Sequence, residues 1–254
     1  MHPRVSVNHL CFPGTTLAQF AAHARELGTT HVSLVSPALI GADLAPLAGF
    51  QVETIAHMFQ PGGSDQLAQV IGIARQIGAR SIYMLTGGHG ALEWEAAANV
   101  FCKAIAPCVK QARDAGVDLA IENALPLYAD LHVAHSLRDT VALAEMANIG
   151  VCIDLFGCWT ESDLRSTIER AMPRCRVIQV SDYVYGDRSL PSRAVPGDGA
   201  IPLQRLLEWS LHAGYRGAFD LELIGPRIDK EGHVPATRRA ADRVGEMLRT
   251  LGAS

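Results

Sequence analysis

An α/β fold of the (β/α)8 TIM barrel class, in one domain over residues 1–254, is what this sequence predicts. Three observations carry it. Short apolar runs alternate strictly with longer stretches of helical period, which means parallel strands joined by crossover helices. Eight such units fit in 254 residues, the usual size of a TIM barrel. The last four strand candidates end in oxygen-bearing side chains, at the end where such barrels carry function. A doubly wound open sheet is the alternative. It calls for a Gly-rich phosphate turn after the first strand, and Leu10-Cys11-Phe12-Pro13-Gly14 is not one.

The elements follow in order. Val5 to Leu10 (VSVNHL) reads as the first strand, and Thr15 to Leu27 as an amphipathic helix that Gly28 is placed to end. His31 to Val35 is the second strand, Ile40 to Phe50 a short helix or loop, and Gln51 to His57 the third strand. Ser64 suits an N-cap for a helix from Asp65 to Ile77, again closed by a glycine, Gly78. Ser81 to Leu85 is the fourth strand. Glu93 to Ala115 is the longest helix, with Pro107 placed to kink or divide it. Strand five covers 117–122, strand six 149–154, strand seven 176–181 and strand eight 217–223. Helices are expected at Ser136–Ala147, Glu161–Met172, Pro202–Ala213 and from about Ala236 to Leu251.

Composition narrows the function classes. With 48% hydrophobic and 19% charged residues the chain is a folded globular protein. A net charge of −4 without a basic run gives no electrostatic footprint for nucleic acid. No apolar stretch approaches the roughly 20 residues of a membrane span. The N-terminus runs straight into a strand without a signal h-region, so a cytoplasmic protein is expected. Six cysteines, none in a CxxC pair, read as reduced and structural. The three lysines, Lys103, Lys110 and Lys230, end no strand, which leaves no candidate for Schiff-base chemistry.

The chemistry concentrates on strands five to eight. A buried parallel strand reads as a continuous apolar run, and a charge at its carboxyl end is costly unless paired or bound. Val117 to Ile121 runs into Glu122, Ile149 to Ile153 into Asp154, Cys175 to Ile178 into Gln179, and Gly217 to Leu221 into Glu222. In a barrel these four converge on one mouth. Three carboxylates packed together repel unless a cation neutralises them, and oxygen donors favour a hard ion.

The segments Ala120-Ile-Glu-Asn123, Val151-Cys-Ile-Asp154, Val177-Ile-Gln-Val-Ser-Asp182, Pro196-Gly-Asp-Gly199 and Ala213-Gly-Tyr-Arg-Gly-Ala-Phe-Asp-Leu-Glu222 resemble the xylose isomerase-like TIM barrel superfamily, in its sugar phosphate isomerase/epimerase branch. The resemblance spans nearly the whole chain. It implies one divalent ion, Mn²⁺ or Mg²⁺ with Co²⁺ or Zn²⁺ as alternatives, held by Glu122, Asp154, Gln179 and Glu222. It implies Glu122 and Glu222 as opposed acid and base on a small hydroxy-ketone or sugar-like substrate, with the ion stabilising the enediolate. Family members commonly form dimers or tetramers. Two positions depart from the pattern. Gln179 stands where His is usual, and Gly157 where a substrate-touching His is common. Gln179 and the run Arg193-Ala-Val-Pro-Gly-Asp-Gly199 are shared with dehydroshikimate dehydratase-like members, which makes a lyase the alternative. A non-catalytic barrel that only binds a ligand or partner is the third reading, favoured by Gly157. Other expected substrate contacts are His9 and His57 at the ends of strands one and three, His89 in the Gly-rich loop after strand four, and Arg193, whose planar fork suits an anionic group. Asp182 reads as orienting a neighbour, and His132 and His135 as structural.

Overall fold

The structure is a computed structural model and describes residues 1–253. Among them, eight parallel strands close into a barrel in sequence order: β1 (Val5–Asn8), β2 (His31–Val35), β3 (Gln51–Met58), β4 (Ser81–Leu85), β5 (Asp118–Glu122), β6 (Gly150–Asp154), β7 (Cys175–Val180) and β8 (Phe219–Leu221). β8 pairs back onto β1 with Ser6 opposite Asp220. The outer ring is α1 (Leu17–Leu27), α2 (Ser64–Ile77), α3 (Trp94–Ala115), α4 (Leu137–Ala147), α5 (Leu155–Cys158), α6 (Leu164–Ala171), α7 (Leu203–His212), α8 (Pro226–Glu231) and α9 (His233–Thr250). None of the described helices is long and apolar enough to cross a membrane.

The alternation along each strand divides the interior into two parts. Ile121, Ile153 and Ile178 face the helices and join the main apolar core. Their neighbours Ala120, Cys152 and Val177 face inward and form, with Tyr83, a small separate cluster inside the barrel. On the β8–β1–β2 side the interior is polar. Ser6 donates to Asp220, Asn8 Nδ2 donates to the same carboxylate at 2.7 Å, and Ser6 and Ser33 lie 3.3 Å apart.

Among the differences from expectation, four have a local reason. β1 stops at Asn8, whose side chain accepts from Leu10 N (3.0 Å) and turns His9–Cys11 into a 3₁₀ turn. α3 runs unbroken through Pro107, its apolar face of Phe101, Ile105 and Cys108 packed on the core, so the proline does not divide it. Ser64 is the first residue of α2 rather than its cap, and its hydroxyl donates to Ala104 O. α6 begins after Glu161, whose carboxylate instead accepts from Leu137 N (2.7 Å) at the start of α4, where the helix terminus favours an anion.

One buried side chain fixes the height of the later strands. His132 accepts from Thr86 N at Nδ1 (3.0 Å) and donates from Nε2 to Glu122 O (2.7 Å), joining the ends of β4 and β5. Burial pushes its imidazole down to about 4. The unfolded chain takes up this proton below about 6.5, while the folded chain resists it until about 4. Stability from His132 is therefore complete above pH 6.5 and is lost as pH falls through that interval, by about 3 kcal/mol. Urea unfolding between pH 7 and 4.5 is expected to be flatter in His132→Asn than in the wild type; equal slopes would reject this role.

Candidate active site

The carboxyl ends of β5 to β8 bring the expected acids together. Glu122 closes β5, Asp154 closes β6 in register with Gln179 of β7, and Glu222 follows β8. All four are buried, with the exposure of Glu122 at 9% and of Gln179 at 0%. Glu122, Asp154 and Glu222 line a cavity of about 420 Å³, with His57, Tyr83 and Arg193 among its other polar-tipped residues. Tyr128 adds a further hydroxyl, and the rest of the wall is apolar, including Val35, Met58, Leu85, Leu125, Leu131 and Phe156.

Arg193 dominates the electrostatics. Its Nη1 and Nη2 grip both oxygens of Asp154 at 3.0 and 2.9 Å, the bidentate arrangement that suits a carboxylate. Nη2 also lies 3.0 Å from Glu222 Oε1, and Nη1 donates to Ser181 Oγ (3.0 Å). The guanidinium stacks over Phe156 at 4.8 Å. Burial opposes its charge, and the carboxylates of Asp154 and Glu222 more than restore it, so it stays cationic. One guanidinium does not neutralise three buried acids. Burial, then the neighbouring Glu222 and Asp154, holds Glu122 well above the usual carboxylate range. Burial raises Glu222 to about 7, against the pull of Arg193. Both glutamates thus hold a proton more readily than an ordinary carboxylate.

The loop that delivers Arg193 is built on Asp182. Its buried carboxylate accepts from the backbone N–H of Tyr183, Gly197, Gly199 and Ile201 at 2.8–3.0 Å. Asp182 and Ala194 also exchange backbone hydrogen bonds, and Arg193 N donates to Ile224 O. The expected orienting role is what this geometry provides. Gly199 has no room for a side chain, because a Cβ there would stand 2.2 Å from Tyr183 O.

Gln179 lies beneath the cavity. Its Nε2 donates to Tyr83 Oη (3.1 Å) and to Glu222, and its Oε1 accepts from the Cys152 thiol (3.2 Å). Among the described residues, no group of three or more His, Cys, Asp or Glu is placed to hold a metal ion. At this mouth the reason is local. A guanidinium spans Asp154 and Glu222, and the amide presents its N–H rather than its oxygen to the acids.

His57 lines the cavity. Ser36 Oγ holds its Nδ1 at 2.9 Å, and Nε2 is buried without a partner. Burial lowers its pKa, which favours the neutral ring. His9 and His89 do not reach the cavity. The turn that Asn8 starts swings His9 under α1, where it stacks on Phe20 at 4.6 Å and its Nε2 meets Thr15 O. His89 folds back along its own loop, Nδ1 against Leu92 O at 3.0 Å.

Two contributors were not read from the sequence. Tyr83 is a hydroxyl midway along an apolar strand, which is its only signal. Asn123 clamps β6, donating to Asp154 O and accepting from Asp154 N, both at 2.9 Å. This clamp explains Gly157, since a Cβ there would meet Asn123 Nδ2 at 2.7 Å. Any side chain at 157, histidine included, must displace Asn123. Gly157→Ala is expected to cost about 1–3 kcal/mol in denaturant unfolding, and clearly less in an Asn123→Ala background. Equal costs in both backgrounds would refute the steric account.

A family model described as "Xylose isomerase-like TIM barrel" matches residues 12–251. No curated protein matches the chain. Among solved structures, protein SMc04130 from Sinorhizobium meliloti 1021 superimposes with a TM-score of 0.84 at 22% identity, covering 99% of both chains. The IolI protein with a bound zinc atom gives 0.83 at 14% identity, covering 98% of this chain and 99% of its own. An L-ribulose 3-epimerase gives 0.79 at 17% identity, covering 98% and 95%.

Proposed function

The chain belongs to the xylose isomerase-like TIM barrel family, and from that premise we propose that it is an isomerase or epimerase acting on a small hydroxy-ketone. The observation that carries this reading is the pair Glu122 and Glu222, two buried glutamates lining one cavity beside a fixed cation, both with raised proton affinity. One glutamate removes the proton next to the substrate carbonyl and the other returns it. Arg193 steadies the charge that develops on the carbonyl oxygen, and its Nε–H, engaged by none of the described residues, is free to meet that oxygen. His57 and Tyr128 line the same cavity and are placed to meet the rest of the substrate. The epimerase among the structural neighbours supports the reaction class.

The divalent ion that the resemblance implies, and that IolI carries as zinc, does not fit the side chains as they stand. Both oxygens of Asp154 already accept N–H groups, and the carbonyl of Gln179 is taken by Cys152. No step of the mechanism is assigned to an ion.

The wall narrows the substrate. A sugar carries a hydroxyl on almost every carbon, and each one buried without a partner costs about 1–3 kcal/mol. Here the polar side chains are the three acids, His57, Tyr83, Tyr128 and Arg193, and Val35, Met58, Leu85 and Leu131 offer no hydrogen bonds from their side chains. The substrate therefore has one oxygenated end and an apolar body. Incubation in D₂O tests this by NMR. Deuterium is expected next to the carbonyl of alkyl- or aryl-substituted hydroxy-ketones, faster than in a polyol ketose. Exchange confined to the ketose would reject the substrate class, and no exchange in any would reject the reaction.

Loss of water from a cyclic hydroxy-ketone is the second reading. It begins with the same proton abstraction, and the Glu222 carboxyl, raised to about 7, favours it as a proton donor to a departing hydroxyl. A conjugated product absorbing in the ultraviolet would distinguish it.

A further inference from the structure

We propose that the guanidinium of Arg193 is the resident cation of this site, standing where the resemblance assigns a divalent ion, so that the protein needs no metal. The inference rests on geometry and goes beyond the reading of substrate and reaction.

Three observations support it. The first is occupancy. A bound divalent ion sits roughly 2.0–2.6 Å from its oxygens. Asp154 has both oxygens in a bidentate arginine fork, and Glu222 Oε1 lies 3.0 Å from the same nitrogen that grips Asp154 Oδ2. An ion entering between these acids would meet a second cation at contact distance. The second is the fourth expected ligand. Gln179 gives its N–H to Glu222 and its carbonyl to the Cys152 thiol, so its amide complements a carboxylate rather than an ion.

The third is that the fold holds Arg193 in place. The residue is 8% exposed, tied to Ile224 by its backbone and to Ser181 by its side chain, and backed by the ring of Phe156. Its neighbour Ala194 is bridged to Asp182, which four backbone N–H groups fix in turn. A covalently attached cation of this kind cannot be chelated or exchanged, and its charge persists at every pH at which the protein is folded.

The proposal makes the carboxylate cluster a metal site in waiting, which its test exploits. Full-length wild type, Arg193→Ala and Arg193→Lys are each equilibrated with excess Co²⁺, desalted and assayed for metal content, visible absorption and melting temperature. Wild type is expected to retain less than about 0.1 equivalent and to melt at the same temperature with Co²⁺ or EDTA. Arg193→Ala leaves three acids without a cation and is expected to take up about one equivalent. Visible bands would then appear, and the melting temperature would rise by about 5 °C or more on addition of the ion. Arg193→Lys keeps the charge and is expected to stay metal-free. Stoichiometric ion in wild type overturns the proposal, as does folded Arg193→Ala that takes up none. The wild-type measurement decides even if Arg193→Ala fails to fold. None of these readouts depends on turnover, so failure here leaves the isomerase reading standing, and absence of isomerase activity leaves this one standing.

Discussion

Glu122→Gln and Glu222→Gln are each expected to slow deuterium exchange into a bound hydroxy-ketone by about a hundredfold to ten-thousandfold. Glutamine keeps the shape and a hydrogen bond but can neither take nor give the proton. Its neutrality also preserves folding, because both acids are buried and burial already disfavours their charge. Substrate binding should change little beside the loss in turnover, since the apolar wall is untouched. The double variant should be no slower than the worse single one, as two members of one relay do not add. Exchange within threefold of wild type in either single variant would remove that glutamate from the mechanism.

Asp182→Ala is expected to have the largest effect on stability. Its carboxylate is fully buried and accepts from Tyr183, Gly197, Gly199 and Ile201, so truncation takes the partner from four backbone donors at once. A loss of about 3–5 kcal/mol follows, with part of the gross penalty recovered as the loop relaxes toward water. Asp182→Asn should lie between, because one of its two terminal atoms still accepts. It should also lower turnover more than its stability loss accounts for, since the same loop delivers Arg193 to Asp154. Urea unfolding measures the first effect and steady-state kinetics on the folded fraction the second. An Asp182→Ala protein within 1 kcal/mol of wild type would show that the loop is held by other means.

The barrel and the place of its acids were legible because both are local in sequence. Each of Glu122, Asp154, Gln179 and Glu222 ends an apolar run, and the period of the runs gives the strand count. What escaped depends on contacts between distant residues. Asn8 bends the chain after β1 through one side-chain hydrogen bond, which takes His9 from the mouth to the underside of α1. Nothing in the VSVNHL run distinguishes an asparagine that extends a strand from one that ends it. Arg193 read as an anion binder, and its type was right for that chemistry. Its anions turned out to be the protein's own, because the path of the loop is set by Asp182, eleven residues earlier in the chain. Gly157 looked like a lost histidine until the space beside it was seen to hold the Asn123 amide.

The acids come from one stretch of the chain, whereas the apolar wall beside them is drawn from both that stretch and the strands before it. Glu122, Asp154, Gln179 and Glu222 close β5 to β8, whereas Val35, His57, Met58 and Leu85 sit at the ends of β2 to β4. The proton-handling acids are thereby confined to one stretch of the chain, while the wall that selects the substrate is shared between that stretch and the strands before it. Changes at Val35, Met58 and Leu85 can therefore reshape one side of the pocket without touching an acid, and a chimera that takes β1 to β4 from a relative would alter that side alone.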